Sequence, residues 1–273
     1  VTNYRNQMED AFALYEQSNV SQIKTGYVAD GGNIKRIDEN GIARFEWHDG
    51  QFMVNEYLYN VKLAAKHKIS INTHEPIKDT GERRTYPNMM AREGARGQEY
   101  NAWSDGNPPN YTTILPFTRF LSGPMDFTAG ILDVEVKQGY PGRRVHSTAA
   151  KQLALLVTVF SPIQMLADLP ENYEGQPAFE FLHDVPTNWE DTKVLNGEVG
   201  EYITTVRKDI ASDDWYLGSM TNEKARDFEI SLSFLEEGAT YEAKIYADAE
   251  GTDETHNPSS VAISTKEVKA SDS

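Results

Sequence analysis

The sequence predicts an α/β region built on a parallel sheet, followed by a small antiparallel β-sandwich. Two observations carry this. Helical and strand periods alternate from the N-terminus to about residue 74, the pattern of a parallel sheet covered by helices. Past residue 195, short runs of alternating polarity recur at regular spacing, the pattern of an antiparallel sandwich. Residues 1–195 are assigned to the first region and 196–273 to the second.

Residues 3–17 place Tyr4, Met8, Ala11, Phe12 and Tyr15 on one helical face. Residues 20–28, VSQIKTGYV, read as a short strand ending in Gly and Asp-Gly-Gly punctuation. Lys24 in that strand has two readings: an edge-strand lysine, or a functional lysine at the carboxyl end of a strand. Residues 29–47 are a polar insertion, and the runs 34–37 and 42–45 around Asn40-Gly41 suit a hairpin with a primed turn. Residues 50–67 form a second helix with Met53, Tyr57, Val61, Ala64 and Ala65 inward, and 69–74 form the next strand.

Gly123-Pro124-Met125-Asp126 reads as a turn after Thr112–Phe120. Residues 147–160 form a helix apolar on most faces, with Ser147 as N-cap and Ser161-Pro162 as its stop. A short helix is expected at 176–183. The sandwich strands are expected at 201–208, 215–220, 228–234, 241–247 and 261–265, and the alternation is clearest in Phe228–Phe234.

Lys plus Arg total 26 against 42 Asp plus Glu, a net charge of −16. That charge argues against nucleic acid or an anionic membrane as the main partner. It is compatible with a neutral sugar or a bound cation. With no cysteine, disulfides, thiolate metal sites and a cysteine nucleophile are excluded. No run approaches the ~20 apolar residues of a membrane-spanning helix. The chain opens on Val1 without an initiator methionine, so its N-terminus is expected to be a cut end.

The densest chemistry lies in Ile69–Glu99. Glu75 follows a strand, and Glu93 and Glu99 follow on a loop with Arg83, Arg84, Arg92 and Arg96. In parallel α/β folds the carboxyl ends of the strands carry the site. Paired carboxylates about 6.5–9.5 Å apart are the machinery of inverting glycosidases. The competing reading is a set of salt bridges to the neighbouring arginines. Clustered glutamate oxygens also suit Ca²⁺, which takes roughly 6–8 oxygen ligands. His74 is read either as a substrate hydrogen-bond donor or as a structural residue. Tyr86, Tyr100, Trp103, Tyr111, Phe117 and Phe120 are either sugar-stacking faces or core.

These residues carry a family resemblance. His74-Glu75-Pro76, Thr80-Gly81, Arg84 to Asn88, Glu93 to Tyr100, Leu115 to Arg119 and Gly123 to Asp126 resemble the signature of glycoside hydrolase family 97. That family contains α-glucosidases of the starch-utilisation type and α-galactosidases. The resemblance implies the C-terminal portion of a (β/α)8 TIM barrel followed by a small antiparallel β-sandwich, with the earlier half of the barrel and a large N-terminal sandwich lying upstream. It implies a Ca²⁺ cofactor held by Glu75, Glu93 and Glu99. It makes Glu99 the general acid and Glu75 a carboxylate associated with activating water. Lys24 and His74 would contact the sugar.

The retaining branch of the family resembles a Lys-Val-Asp-Phe strand whose Asp is the nucleophile. Here the strand reads Lys24-Thr25-Gly26-Tyr27, so the chain resembles the inverting α-glucosidase branch, acting on maltooligosaccharides. An α-galactosidase of the same family and a non-catalytic carbohydrate-binding remnant are the alternatives. The upstream base glutamate is expected outside this chain, so the chain alone is expected to be inactive. The resemblance further implies a bacterial periplasmic or secreted location, a small oligosaccharide partner, and either a monomer or a dimer.

Overall fold

The computed structural model describes residues 1–26, 33–135 and 142–273. They divide into two compact units. One comprises residues 1–95, 122–126 and 161–163, and the other comprises 96–121, 127–160 and 164–273.

In the first unit, helix α1 (Thr2–Gln17) leads to strand β1 (Gln22–Thr25), and a hairpin of β2 (Ile34–Ile37) and β3 (Ala43–Glu46) follows. Helix α2 (Gln51–Lys66), β4 (Ser70–Thr73) and β5 (Met89–Arg92) complete the series. Strands β1, β4 and β5 form a parallel sheet in that order. Met125 adds a parallel bridge beside Arg92, so the run expected to be only a turn extends the sheet by one position. The expected strand residues Tyr27 and Val28, and the first residues of the insertion, lie outside the described residues.

Both long helices stop in the same way. At the end of α1, Val20 N–H reaches Tyr15 C=O and Asn19 N–H reaches Glu16 C=O. At the end of α2, Ile69 N–H reaches Ala64 C=O and Lys68 N–H reaches Ala65 C=O. These are Schellman closures through a left-handed residue, Asn19 at φ 57° and Lys68 at φ 58°. Each closure turns the chain straight into a strand. The core between helices and sheet contains Met8, Phe12, Val61, Ala64, Ile69 and Ile71, the faces predicted by helical and strand periodicity.

The hairpin turn differs from the two-residue turn expected. Asp38 accepts from the backbone of Asn40 and Ile42, and Gly41 alone takes φ 77°. The aspartate side chain therefore shapes a longer loop. The loop after β4 is pinned by Asp79, which accepts from Gly81 N–H and pairs with Arg83 and Arg92.

The second unit contains the helical turn α3 (Tyr111–Ile114), helix α4 (Ala149–Thr158), and the short helices α5 (Pro170–Tyr173) and α6 (Phe179–Asp184). Thr148, rather than the expected Ser147, caps α4 by accepting from Lys151 N–H. Strands β6 (Trp189–Glu198), β7 (Tyr202–Asp209) and β8 (Trp215–Thr221) form an antiparallel sheet. β9 (Tyr241–Asp248) pairs antiparallel with β10 (Val261–Val268).

β6 crosses the boundary expected at residue 195. Its Asp, Lys, Asn and Gly content hides it from propensity. The Phe228–Phe234 run is not a strand. Its alternation is real, but the buried side serves ring packing: Phe228 lies 4.7 Å from the Tyr202 ring and Phe234 5.1 Å from the Trp215 ring. Gly218 of β8 allows α4 to come close, since a Cβ there would meet Ala154 C=O at 2.8 Å.

Candidate active site

The site is built at the carboxyl ends of the parallel strands. Hydrogen bonds carry the ladder past the strand ends: His74 N–H to Thr25 C=O at 2.6 Å, Glu93 N–H to Thr73 C=O at 3.0 Å, and Asp126 N–H to Arg92 C=O at 3.1 Å. Gly26, His74, Glu75, Glu93 and Asp126 thus come together in one unit, where parallel sheets present their chemistry.

Glu75 is held in a left-handed conformation, φ 43°, which costs a non-glycine residue about 1–3 kcal/mol. Its carbonyl accepts from the Tyr57 hydroxyl and lies 2.8 Å from His48 Nε2. Burial, followed by the nearby carboxylate of Glu75, raises the Tyr57 pKa and keeps the hydroxyl a donor. Neither His48 nor Tyr57 is marked in the sequence as anything but core or loop. The Glu75 carboxylate lies over Gly26: a Cβ on Gly26 would stand 2.2 Å from Oε2.

Glu93 lies beside it, its Oε2 3.5 Å from Glu75 N–H and 3.4 Å from His74 Nδ1. The other nitrogen of His74, Nε2, is 2.7 Å from Asp126 Oδ2. Asn72 Nδ2 donates to the same oxygen at 2.5 Å. Burial pushes the His74 pKa down, but the hydrogen bonds to Asp126 and Glu93 overcome it and raise the value to about 9. His74 is 3% exposed and Asp126 is fully buried, so the histidine is clamped between two carboxylates.

Lys24 lies on β1 in register with Asn72, and it is exposed. Glu99 belongs to the second unit, on the 3-10 turn Gln98–Ala102, and is exposed. Near it in sequence, Arg96 lies over the rings of Tyr100 and Tyr111, at 4.6 and 4.9 Å. Trp103 is 59% exposed and meets Tyr100 edge-on. The structure therefore brings Glu75, Glu93 and His74 together, with Asp126, from the expected turn, as the partner of His74.

A cation is the group to test here. The donors that Glu75 and Glu93 offer are hard carboxylate oxygens at neighbouring strand ends, the chemistry that Ca²⁺ takes. Their donor type suits that ion.

The comparisons with known proteins agree with this architecture. Residues 1–95 match the family model for glycoside hydrolase 97, and residues 188–273 match that of the glycosyl-hydrolase 97 C-terminal region, described as oligomerisation. A glycoside hydrolase family 97 enzyme from Pseudoalteromonas sp. strain K8, solved in complex with acarbose, superposes with a TM-score of 0.93 at 61% identity. That match covers 99% of this chain and 42% of the solved one. A glutamate-to-glutamine variant of the same enzyme, solved with panose, gives the same values.

A retaining α-galactosidase of Bacteroides thetaiotaomicron is 38% identical over 194 residues, 68% of this chain and 29% of the relative. A probable retaining α-galactosidase of Streptomyces bingchenggensis is 34% identical over 203 residues, again 29% of the relative's length. The chain belongs to glycoside hydrolase family 97, whose relatives here are enzymes. It spans less than half the length of each of these relatives.

Among the described residues, no helix is long and apolar enough to cross a membrane.

Proposed function

We propose that this chain carries part of the active site of an inverting, calcium-dependent α-glucosidase. The observation that carries the reading is the contact between Gly26 and Glu75. In the retaining branch of the family, the corresponding strand supplies an aspartate nucleophile. Here the residue has no side chain, and the Glu75 carboxylate fills the space a Cβ would need, 2.2 Å away. With no nucleophile there, displacement falls to a water held on a carboxylate base, the two-carboxylate inverting scheme.

In this reading Glu99 protonates the glycosidic oxygen. Glu75 helps orient the attacking water, and its strained backbone sets the direction in which its side chain leaves the strand end. Glu75 and Glu93 would hold the cation. Bound calcium would neutralise clustered negative charge and polarise the oxygens around it. Lys24 serves on the sugar side, whereas both ring nitrogens of His74 face the carboxylates of Asp126 and Glu93. The relative at 61% identity supports a glucoside substrate, because panose, bound by its variant, is a trisaccharide of α-linked glucose.

The test is the anomer of the first product, followed by proton NMR in a protein of the relatives' full length that carries these residues. Release of β-glucose is expected, and α-glucose as first product overturns the inverting mechanism. A second reading, α-galactosidase, is favoured by the names of the curated relatives. It wins if kcat/KM on an aryl α-galactoside exceeds that on the matching α-glucoside.

A further inference from the structure

We infer that Asp126 is a positioning residue of this site, which fixes the ring of His74 and, through it, the carboxylate of Glu93. The inference concerns a residue that lies in the Gly123–Asp126 motif but has no role assigned to it there.

Asp126 is rigid on three counts. Its backbone is tied into the sheet by the bond from its N–H to Arg92 C=O. Its side chain has no exposure to solvent. Its Oδ2 receives Asn72 Nδ2 at 2.5 Å as well as facing His74 Nε2 at 2.7 Å. Asn72 and His74 are two residues apart and so leave β4 on the same face. Between them and Asp126 lies β5, whose Ala91 is in register with Asn72. A small side chain there leaves room for both to reach across. One buried oxygen thereby collects two donors from across β5, Asn72 on β4 and His74 just past its end.

The consequence is directional. An imidazole turns about its last torsion between two broad, roughly opposite positions. A fixed acceptor on Nε2 selects one of them, and in that one Nδ1 faces Glu93 Oε2 at 3.4 Å. Reversed, the ring would offer a carbon edge to the glutamate. Groups that orient metal-binding carboxylates commonly change metal affinity about 10–100-fold when removed. The effect on cation affinity rests on the calcium reading proposed above, whereas the ring orientation does not.

The experiment uses a protein of the relatives' full length that carries these residues, and two variants. Asp126→Leu removes the acceptor while keeping the branched shape, and Asp126→Asn keeps an oxygen in place. Imidazole 15N–1H NMR, with His74 assigned by its loss in His74→Gln, reads the ring. Titration with calcium chloride reads the site. In the unsubstituted chain, His74 Nε2 is expected to carry a slowly exchanging proton. Asp126→Leu is expected to lose that signal and to weaken calcium binding about 10–100-fold, while Asp126→Asn keeps the signal and stays within a few-fold.

An Nε2 without a proton in the unsubstituted chain overturns the proposal whether or not the leucine variant folds. So does an Asp126→Leu chain with unchanged ring signals. A lost ring signal with unchanged calcium affinity overturns the link to Glu93. A parent chain that binds no calcium, but in which Asp126→Leu still loses the ring signal, sinks the calcium reading and leaves the positioning of His74 standing.

Discussion

The carboxylate of Glu75 covers the backbone of Gly26 so closely that a Cβ on Gly26 would lie 2.2 Å from Oε2. The nearest atom is the tip of a flexible side chain, with the His74 carbonyl next at 3.3 Å, so the obstruction falls mainly on the site. Gly26→Ala is therefore expected to keep stability within about 1 kcal/mol while displacing the carboxylate. Calcium affinity should fall on the order of tenfold. Thermal denaturation and calorimetric titration check this, and an unchanged affinity would show that Glu75 does not serve the ion.

Tyr57 anchors the strained residue. Its hydroxyl donates to Glu75 C=O, and burial raises its pKa, so it remains a donor through alkaline pH. Tyr57→Phe is expected to destabilise the chain by about 0.5–1.5 kcal/mol, the net worth of one hydrogen bond. His48 stays on the same oxygen and limits the loss. Urea denaturation measures it.

Asp79 pins the loop that leads away from Glu75, pairing with Arg83 and with the buried Arg92. Asp79→Asn leaves the Arg92 guanidinium buried without this charge partner, and the expected cost is about 3 kcal/mol. Burial raises the pKa of this carboxyl, but Gly81 N–H, Arg92 and Arg83 together hold it below the ordinary value. A lowered native pKa gives stability that is present above the unfolded-state value and lost as pH falls through the native one. The difference in stability between parent and Asp79→Asn should therefore shrink on acidification, as equilibrium unfolding at successive pH values would show.

Lys151 gives the opposite limb. Burial lowers its pKa to about 8, against the pull of Glu223, Glu254 and Asp248. Its Nζ donates to Pro109 C=O and Thr221 C=O, both at 2.8 Å. Above the native value the folded chain has released this proton while the unfolded chain still holds it, so stability gains from this group as pH rises. Parent minus Lys151→Met stability is expected to climb between pH 8 and the ordinary lysine value near 10.5. A flat difference would place the ammonium in contact with water.

Much of this was legible in the sequence because it is local. The buried faces of α1 and α2 follow from helical spacing, apart from Ala65, which is exposed, and Glu75 ends a short apolar strand, the place of a strand-end carboxylate. What was missed depends on distant partners. Asp126 meets His74 only because the sheet brings Arg92 beside Met125. His48 and Tyr57 reach Glu75 from the hairpin end and the following helix, and no periodicity marks a hydroxyl for that task. The arginines of the loop looked like partners for glutamates. Arg83 and Arg92 instead share Asp79, and Arg96 lies on aromatic rings. Phe228–Phe234 misled because alternation records one-sided packing, which an extended segment can satisfy without a ladder.

The parallel sheet also sets an order of events in time. Gln22 pairs with Ser70, so the hairpin and all of α2 must be spanned before the first ladder bond of that pair closes. Non-local pairings of this kind slow folding, because loop-closure entropy comes before the contacts that compensate it. The helices with their local closures can form early. Glu75, Glu93 and Asp126 take their places only after the last strands register, so competence at this site should emerge late in refolding, after most of the helical signal has returned.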